Sequence, residues 1–144
     1  MSHHNHFLMR RGASGFTLLE LLVVILIIGL LTGIVAPRFL SQISRSEVTT
    51  AKAQIANFDK AVEAFRIDLG RYPTESEGLK ALVTAPGGDA RWRGPYMKDD
   101  IPNDPWGTPY VYHYPSTRGK DFDISSLGRD RAVGGSGDDA DIFN

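Results

Sequence analysis

The sequence predicts an α+β fold: a long N-terminal α-helix, membrane-spanning in its first half, packed on a small antiparallel β-sheet. Three observations carry that expectation. Residues 16–36 form an almost uncharged apolar run, an apolar stripe at steps of three and four continues from position 48 to 69, and two aromatic and β-branched runs, 110–114 and 122–126, flank a turn-rich stretch.

The first element follows from its length and flanks. Residues 16–36 contain one charge, Glu20; at 1.5 Å per residue they make a helix of about 31 Å, enough to span a bilayer core. Arg10 and Arg11 precede it and no acid occurs in positions 1–15, so the positive-inside bias keeps the amino terminus cytoplasmic and sends the remainder across. The run exceeds a secretory h-region, and Val35-Ala36-Pro37-Arg38-Phe39 offers no small-x-small cleavage site. An uncleaved anchor is expected. Gly29, Gly33 and Pro37 predict a kink or loosening between 29 and 37, after which the helix resumes. Glu20 needs a cation, because a carboxylate within a spanning helix costs a few kcal/mol. Scission after Gly15 would free an α-amino group on Phe16, four residues earlier on the same helical face.

The next elements read from periodicity and punctuation. Val48, Ala51, Ile55, Phe58, Val62, Phe65 and Leu69 form the core-facing stripe, with Lys52, Asp59, Lys60 and Glu63 elsewhere on the helix. Gly70 and Pro73 end it. Thr74 with Glu77 makes a capping box for a short second helix that ends near 84–88. Prolines at 95, 102 and 105 make 91–106 a loop, which Trp92, Tyr96 and Trp106 pin to the core. Residues 110–114 and 122–126 then pair as a hairpin whose apolar face covers the long helix.

Composition narrows the function. The chain has 144 residues, so one small domain follows the anchor. Without residues 1–15, 14 basic side chains face 17 acidic ones, a net of −3, mixed in sign along the chain. That balance does not suit a phosphate-binding surface. There is no cysteine to brace the domain, and His3, His4 and His6 lie in the leader, leaving His113 alone after processing. No nucleophile–base constellation, Gly-x-Ser-x-Gly motif or phosphate-cradling loop is present, so an enzyme is not expected.

The glycine- and aspartate-rich tail, 128–144, has two readings. Low hydrophobicity and acidity are the marks of a free, disordered tail. Alternatively, two aspartates on a glycine-rich loop could encircle calcium, which takes six to eight oxygens; the spacing is not that of an EF-hand.

Gly15-Phe16-Thr17-Leu18-Leu19-Glu20 before an apolar run resembles the signal sequence of type IV pilins and pseudopilins. The resemblance implies cutting by a prepilin peptidase after Gly15, methylation of Phe16, and a role for Glu20 in meeting a neighbour's amino terminus during fibre assembly. Tyr72-Pro73-Thr74, Trp92-Arg93-Gly94-Pro95-Tyr96, Asp104-Pro105-Trp106-Gly107-Thr108-Pro109-Tyr110 and Ser126-Leu127-Gly128-Arg129-Asp130 are similar to the major pseudopilin family of type II secretion, as is the Gly-Gly-x-x-x-Asp-Ala-Asp ending. That family implies a pilin-like fold with a calcium-binding C-terminal loop. Transferred to this chain, the ligands are Asp130, then Asp138 with Asp139 in reserve, and the carbonyls of Leu127, Val133 and Ser136. It further implies a leader at 1–15, a transmembrane and fibre-core helix at 16–36 and a periplasmic domain at 37–144. The implied partners are copies of the chain in a helical fibre, minor pseudopilins, the peptidase and an inner-membrane secretion platform. A type IV pilus subunit, for adhesion or motility, is the alternative, though such pilins commonly close their C-terminal region with a disulfide.

Overall fold

The computed structural model describes residues 15–144. Arg10, Arg11, His3, His4 and His6, on which the orientation and leader expectations rest, lie outside the described residues. Helix α1 spans Leu18–Leu69 and continues through Gly29, Gly33 and Pro37. Pro37 lacks an N–H, so the Gly33 carbonyl loses its helical donor without ending the helix. Thr32 Oγ1 returns a bond to the Ile28 carbonyl at 2.7 Å, which satisfies its hydroxyl inside an apolar stretch.

The chain divides into two compact units at Leu40/Ser41. In the first, the large apolar side chains from Phe16 to Leu40 are exposed, Phe16 at 88% and Leu18 at 83%. The most apolar stretch of the helix carries none of its surface buried. Such a surface needs lipid or other helices around it.

The second unit buries the expected stripe. Ala51, Ile55, Phe58, Val62, Phe65 and Leu69 are at most 2% exposed, and Val48 packs at their edge. Gly70, at φ 71°, ends α1 with its amide on the Arg66 carbonyl at 2.8 Å, as a left-handed C-terminal cap should. Opposite α1 lies a three-stranded antiparallel sheet, β1 Val111–His113, β2 Asp123–Ser126 and β3 Ile142–Phe143, in the order β1-β2-β3. Tyr112 pairs with Ile124 across β1 and β2. Phe58 of α1 meets Tyr110 edge-on at 5.0 Å, and Phe65 meets Tyr96 at 5.8 Å.

One expectation changes. The Thr74–Glu77 capping box closes, with Glu77 Oε2 accepting the Thr74 amide at 2.8 Å and Thr74 Oγ1 accepting the Glu77 amide at 3.3 Å. No α-helix follows it. Gly78 takes φ 57°, ψ −161°, and two short 3-10 turns, Leu79–Leu82 and Pro86–Gly88, stand in the place of the helix. Arg71 also grips both oxygens of Glu77 at 2.7 and 2.9 Å, fixing the box as a closed turn.

Of the two readings of the tail, the free one does not hold at its end. Ile142 is 7% exposed and pairs with Ser126. Asn144 then closes on β2: its amide donates to the Ile124 carbonyl and its Oδ1 accepts the Ile124 amide, both at 3.0 Å. The 91–106 loop is pinned as expected, with Trp92 Nε1 on the Ala81 carbonyl at 3.0 Å and Tyr96 Oη on Asp68 at 2.8 Å.

Candidate functional site

Two regions hold the residues singled out from the sequence. At the start of α1, Gly15 and Phe16 precede the first turn and Thr17 is its N-cap. The Glu20 amide donates to Thr17 Oγ1 at 3.2 Å, and Glu20 Oε2 accepts the Thr17 amide at 3.4 Å. Thr17-x-x-Glu20 is therefore a capping box that satisfies two of the orphan amides of a helix end. Sequence reasoning gave Glu20 only a charge-pairing role, although the Thr-x-x-Glu spacing was there to be read.

The other region is the loop between β2 and β3. Asp130 Oδ1 accepts the Ala132 amide at 3.1 Å. Its Oδ2 lies over Gly135, where an added Cβ would stand 3.3 Å from that oxygen and 2.1 Å from the Asp139 carbonyl oxygen. At Gly128 a Cβ would come within 2.9 Å of the Ala140 carbonyl and 3.3 Å of that of Asp139. Both glycines have positive φ, 79° and 72°, so a side chain is disfavoured there by conformation as well as by space. Bare backbone at these two places lets a carboxylate and carbonyls from distant parts of the loop converge.

The expected second carboxylates are placed differently from one another. Asp138 is exposed on the short turn Gly137–Asp139, and the Asp139 carboxylate accepts Arg129 Nε at 3.0 Å while its carbonyl faces Gly135. Of the expected carbonyl donors, Ser136 accepts the Asp139 amide at 3.2 Å. Val133 sits at the exposed tip, 87% accessible, and Leu127 follows β2 at the root of the loop.

Asp141 is the residue the sequence reading passed over. Its Oδ2 accepts the Gly134 amide at 2.9 Å and its own amide donates to the Gly134 carbonyl at 3.1 Å. Its Oδ1 is buried without a hydrogen-bond partner. The signal for it was the second acid of the Asp-Ala-Asp ending.

Calcium binds oxygen alone and accepts carboxylates and carbonyls together. The Asp130 carboxylate, the converging carbonyls and the unpartnered Asp141 oxygen match that chemistry. Among the described residues no three His, Asp or Glu side chains gather to hold a metal, so an ion here would draw largely on the main chain.

Elsewhere, His113 ends β1 and meets Glu75 at 2.6 Å, tying the sheet to the 74–78 turn. A cleft of about 490 Å³ is lined by Glu75, Glu77, Leu79, Ile101 and Tyr112 among others.

The chain is similar to known proteins over most of its length. The family model for type II secretion system (T2SS), protein G matches residues 38–144, and that for the prokaryotic N-terminal methylation motif matches 10–36. The chain is 42% identical to the type II secretion system core protein G of Pseudomonas aeruginosa, over 94% of this chain and 96% of that protein. It is 39% identical to the core protein G of Vibrio cholerae, over 93% and 92%. Among solved structures it is similar to the major pseudopilin from the type 2 secretion system of enterohaemorrhagic Escherichia coli, with a TM-score of 0.60 and 29% identity, covering 73% of this chain and 91% of that one.

Proposed function

The chain belongs to the type II secretion system protein G family, and from that premise we propose that it is the major structural subunit of a secretion pseudopilus. It polymerises from the inner membrane, and the growing fibre drives folded proteins across the outer membrane. The family is one of structural subunits, not enzymes, and no observation favours a pilus for adhesion or motility. The observation that carries the reading is the joining of a methylation motif at 10–36 to a protein G domain at 38–144, on a helix whose apolar half has no cover of its own.

The mechanism follows from that uncovered half. A prepilin peptidase cuts between Gly15 and Phe16, the domain lies in the periplasm, and helices from Phe16 to about Leu40 bundle as the fibre core. Moving such a helix from lipid to fibre gives little hydrophobic gain, so packing and charge pairing fix the register. Glu20 is neutralised by the Phe16 amine of a neighbouring copy. Minor pseudopilins and the inner-membrane platform complete the assembly.

The C-terminal loop supplies a brace where the chain has no disulfide. Calcium is held there by Asp130, by carbonyls that include Asp139, and by Asp141, with Asp138 as a further acid at the rim. The converging oxygens at Gly135 and the unpaired Asp141 Oδ1 support this.

Two substitutions separate the roles of Glu20. Glu20→Gln keeps an acceptor for the Thr17 amide and removes the charge, while Glu20→Ala removes both. Both variants should insert in the membrane and fail to form fibres, as read by sedimentation and cross-linking. Fibres from Glu20→Gln at the wild-type level would discard charge pairing and leave only the cap. Mature protein that still begins at Met1 would overturn the assembly mechanism itself.

A further inference from the structure

Residues 103–108 tie together three parts of the second unit. Asp104 is 4% exposed, and its carboxylate is satisfied by neutral donors. Oδ1 accepts the amides of Trp106 at 3.1 Å and Thr108 at 2.7 Å, and Oδ2 accepts Ser126 Oγ at 2.6 Å. The Ser126 hydroxyl, fully buried at the end of β2, in turn accepts the Gly128 amide at 3.2 Å. This fixes the root of the loop that carries Asp130.

A second tie reaches further into the loop. Arg131 is the one non-glycine residue with positive φ among the described residues, at 58°, a conformation that costs about 1–2 kcal/mol. Its guanidinium donates to the Trp106 carbonyl at 2.7 Å. Holding Arg131 aims the preceding residue, Asp130, at Gly135 and the Asp139 carbonyl. The third tie runs to α1, where the Trp106 indole Nε1 donates to Glu47 Oε2 at 3.1 Å. Trp106 therefore touches the loop with its carbonyl and α1 with its ring.

We propose that Asp104 and Arg131 are positioning residues for the ion loop, and that Trp106 passes the occupancy of the loop to α1 at Glu47. The inference rests on the calcium reading above. Arg131 shapes the site without lending it an oxygen. An ordered loop holds Arg131 on the Trp106 carbonyl, and the rigid indole then holds Glu47 and the turn of α1 around it.

The full chain in detergent micelles is titrated with calcium by calorimetry, and amide exchange is followed at 44–51 and 127–141. In the wild type, calcium should slow exchange in both stretches. Arg131→Gly keeps the left-handed backbone, which glycine adopts freely, and removes only the side chain. It should weaken calcium binding about tenfold, the effect of losing one charge-assisted bond, and Arg131→Lys should recover much of that loss. Trp106→Phe retains the carbonyl and loses the indole donor, so affinity should stay within about twofold while protection at 44–51 disappears.

Wild-type affinity in Arg131→Gly overturns the positioning role and leaves the calcium reading intact. Protection at 44–51 that survives in Trp106→Phe overturns the transfer to α1. A wild-type chain that binds no calcium overturns the ion reading and this inference with it.

Discussion

At the scale of single residues, partners decide what each side chain does. Asp123 is 3% exposed. Burial alone would raise its carboxyl, but donors from Ser116 Oγ at 2.7 Å and from the Thr117 amide at 3.0 Å outweigh it and hold the group below its ordinary value. Arg71 lowers Glu77 and Arg91 brings Asp89 down to about 2. All three have folded values beneath their unfolded ones. Their contribution is complete above the unfolded carboxylate range, about pH 4, and is lost as pH falls through the lower folded values. Urea midpoints of the full chain should therefore drop through that acid window. Asp123→Asn should show a shallower drop there, and an unchanged slope would mean that Asp123 is not part of the acid response. Asn144 shows the limit of sequence reading at this scale. A terminal asparagine has no periodicity, yet its side chain holds the Ile124 amide and reaches Asp59 Oδ1 of α1 at 3.0 Å.

At the scale of elements, the stripe on α1 was legible because seven apolar residues repeat at helical spacing over more than twenty positions. Phe58 and Phe65 are 0% exposed while Ile67, equally apolar and off the stripe, is 77% exposed. Phe58→Ala should cost about 3–5 kcal/mol, and Ile67→Ala should stay within about 0.5 kcal/mol, both measured by denaturant unfolding. Equal costs would mean that the stripe is not the core. The hairpin was legible for the same reason, with aromatic and β-branched residues alternating on both sides of a turn. What failed were short elements. The Thr74-x-x-Glu77 signature reports two hydrogen bonds and not the φ of Gly78, so a cap was readable and the missing helix was not. Strand β3 has two residues, too few for any alternation, and it forms because the backbone edge of β2 recruits it. The candidate loop was half legible: its glycines and aspartates were visible, but which oxygens converge depends on the positive φ at Gly128 and Gly135.

At the scale of the molecule, the two units solve different problems with different means. The large apolar side chains from Phe16 to Leu40 are exposed and depend on surroundings. Ser41–Asn144 forms a core from one face of α1 and a three-stranded sheet without a disulfide, at a size where burial leaves a narrow margin. A loop of fifteen residues from Leu127 to Asp141, with little apolar content, adds to that margin only if something organises its carbonyls. A ligand that binds the folded loop and not the unfolded chain stabilises by RT ln(1 + [L]/Kd), about 2.7 kcal/mol at a hundredfold excess over Kd. For a unit of this size that corresponds to a rise in melting midpoint on the order of 10 °C. Melting the full chain in detergent with calcium and with chelator should show that rise. Magnesium should give much less, because it demands near-ideal octahedral geometry and gives up its waters reluctantly. Gly135→Ala should abolish the response, since its methyl would fall on the Asp139 carbonyl. A midpoint indifferent to calcium would leave the tail held by its hydrogen bonds alone, among them those of β3 and Asn144 to β2 and of Arg131 to the Trp106 carbonyl.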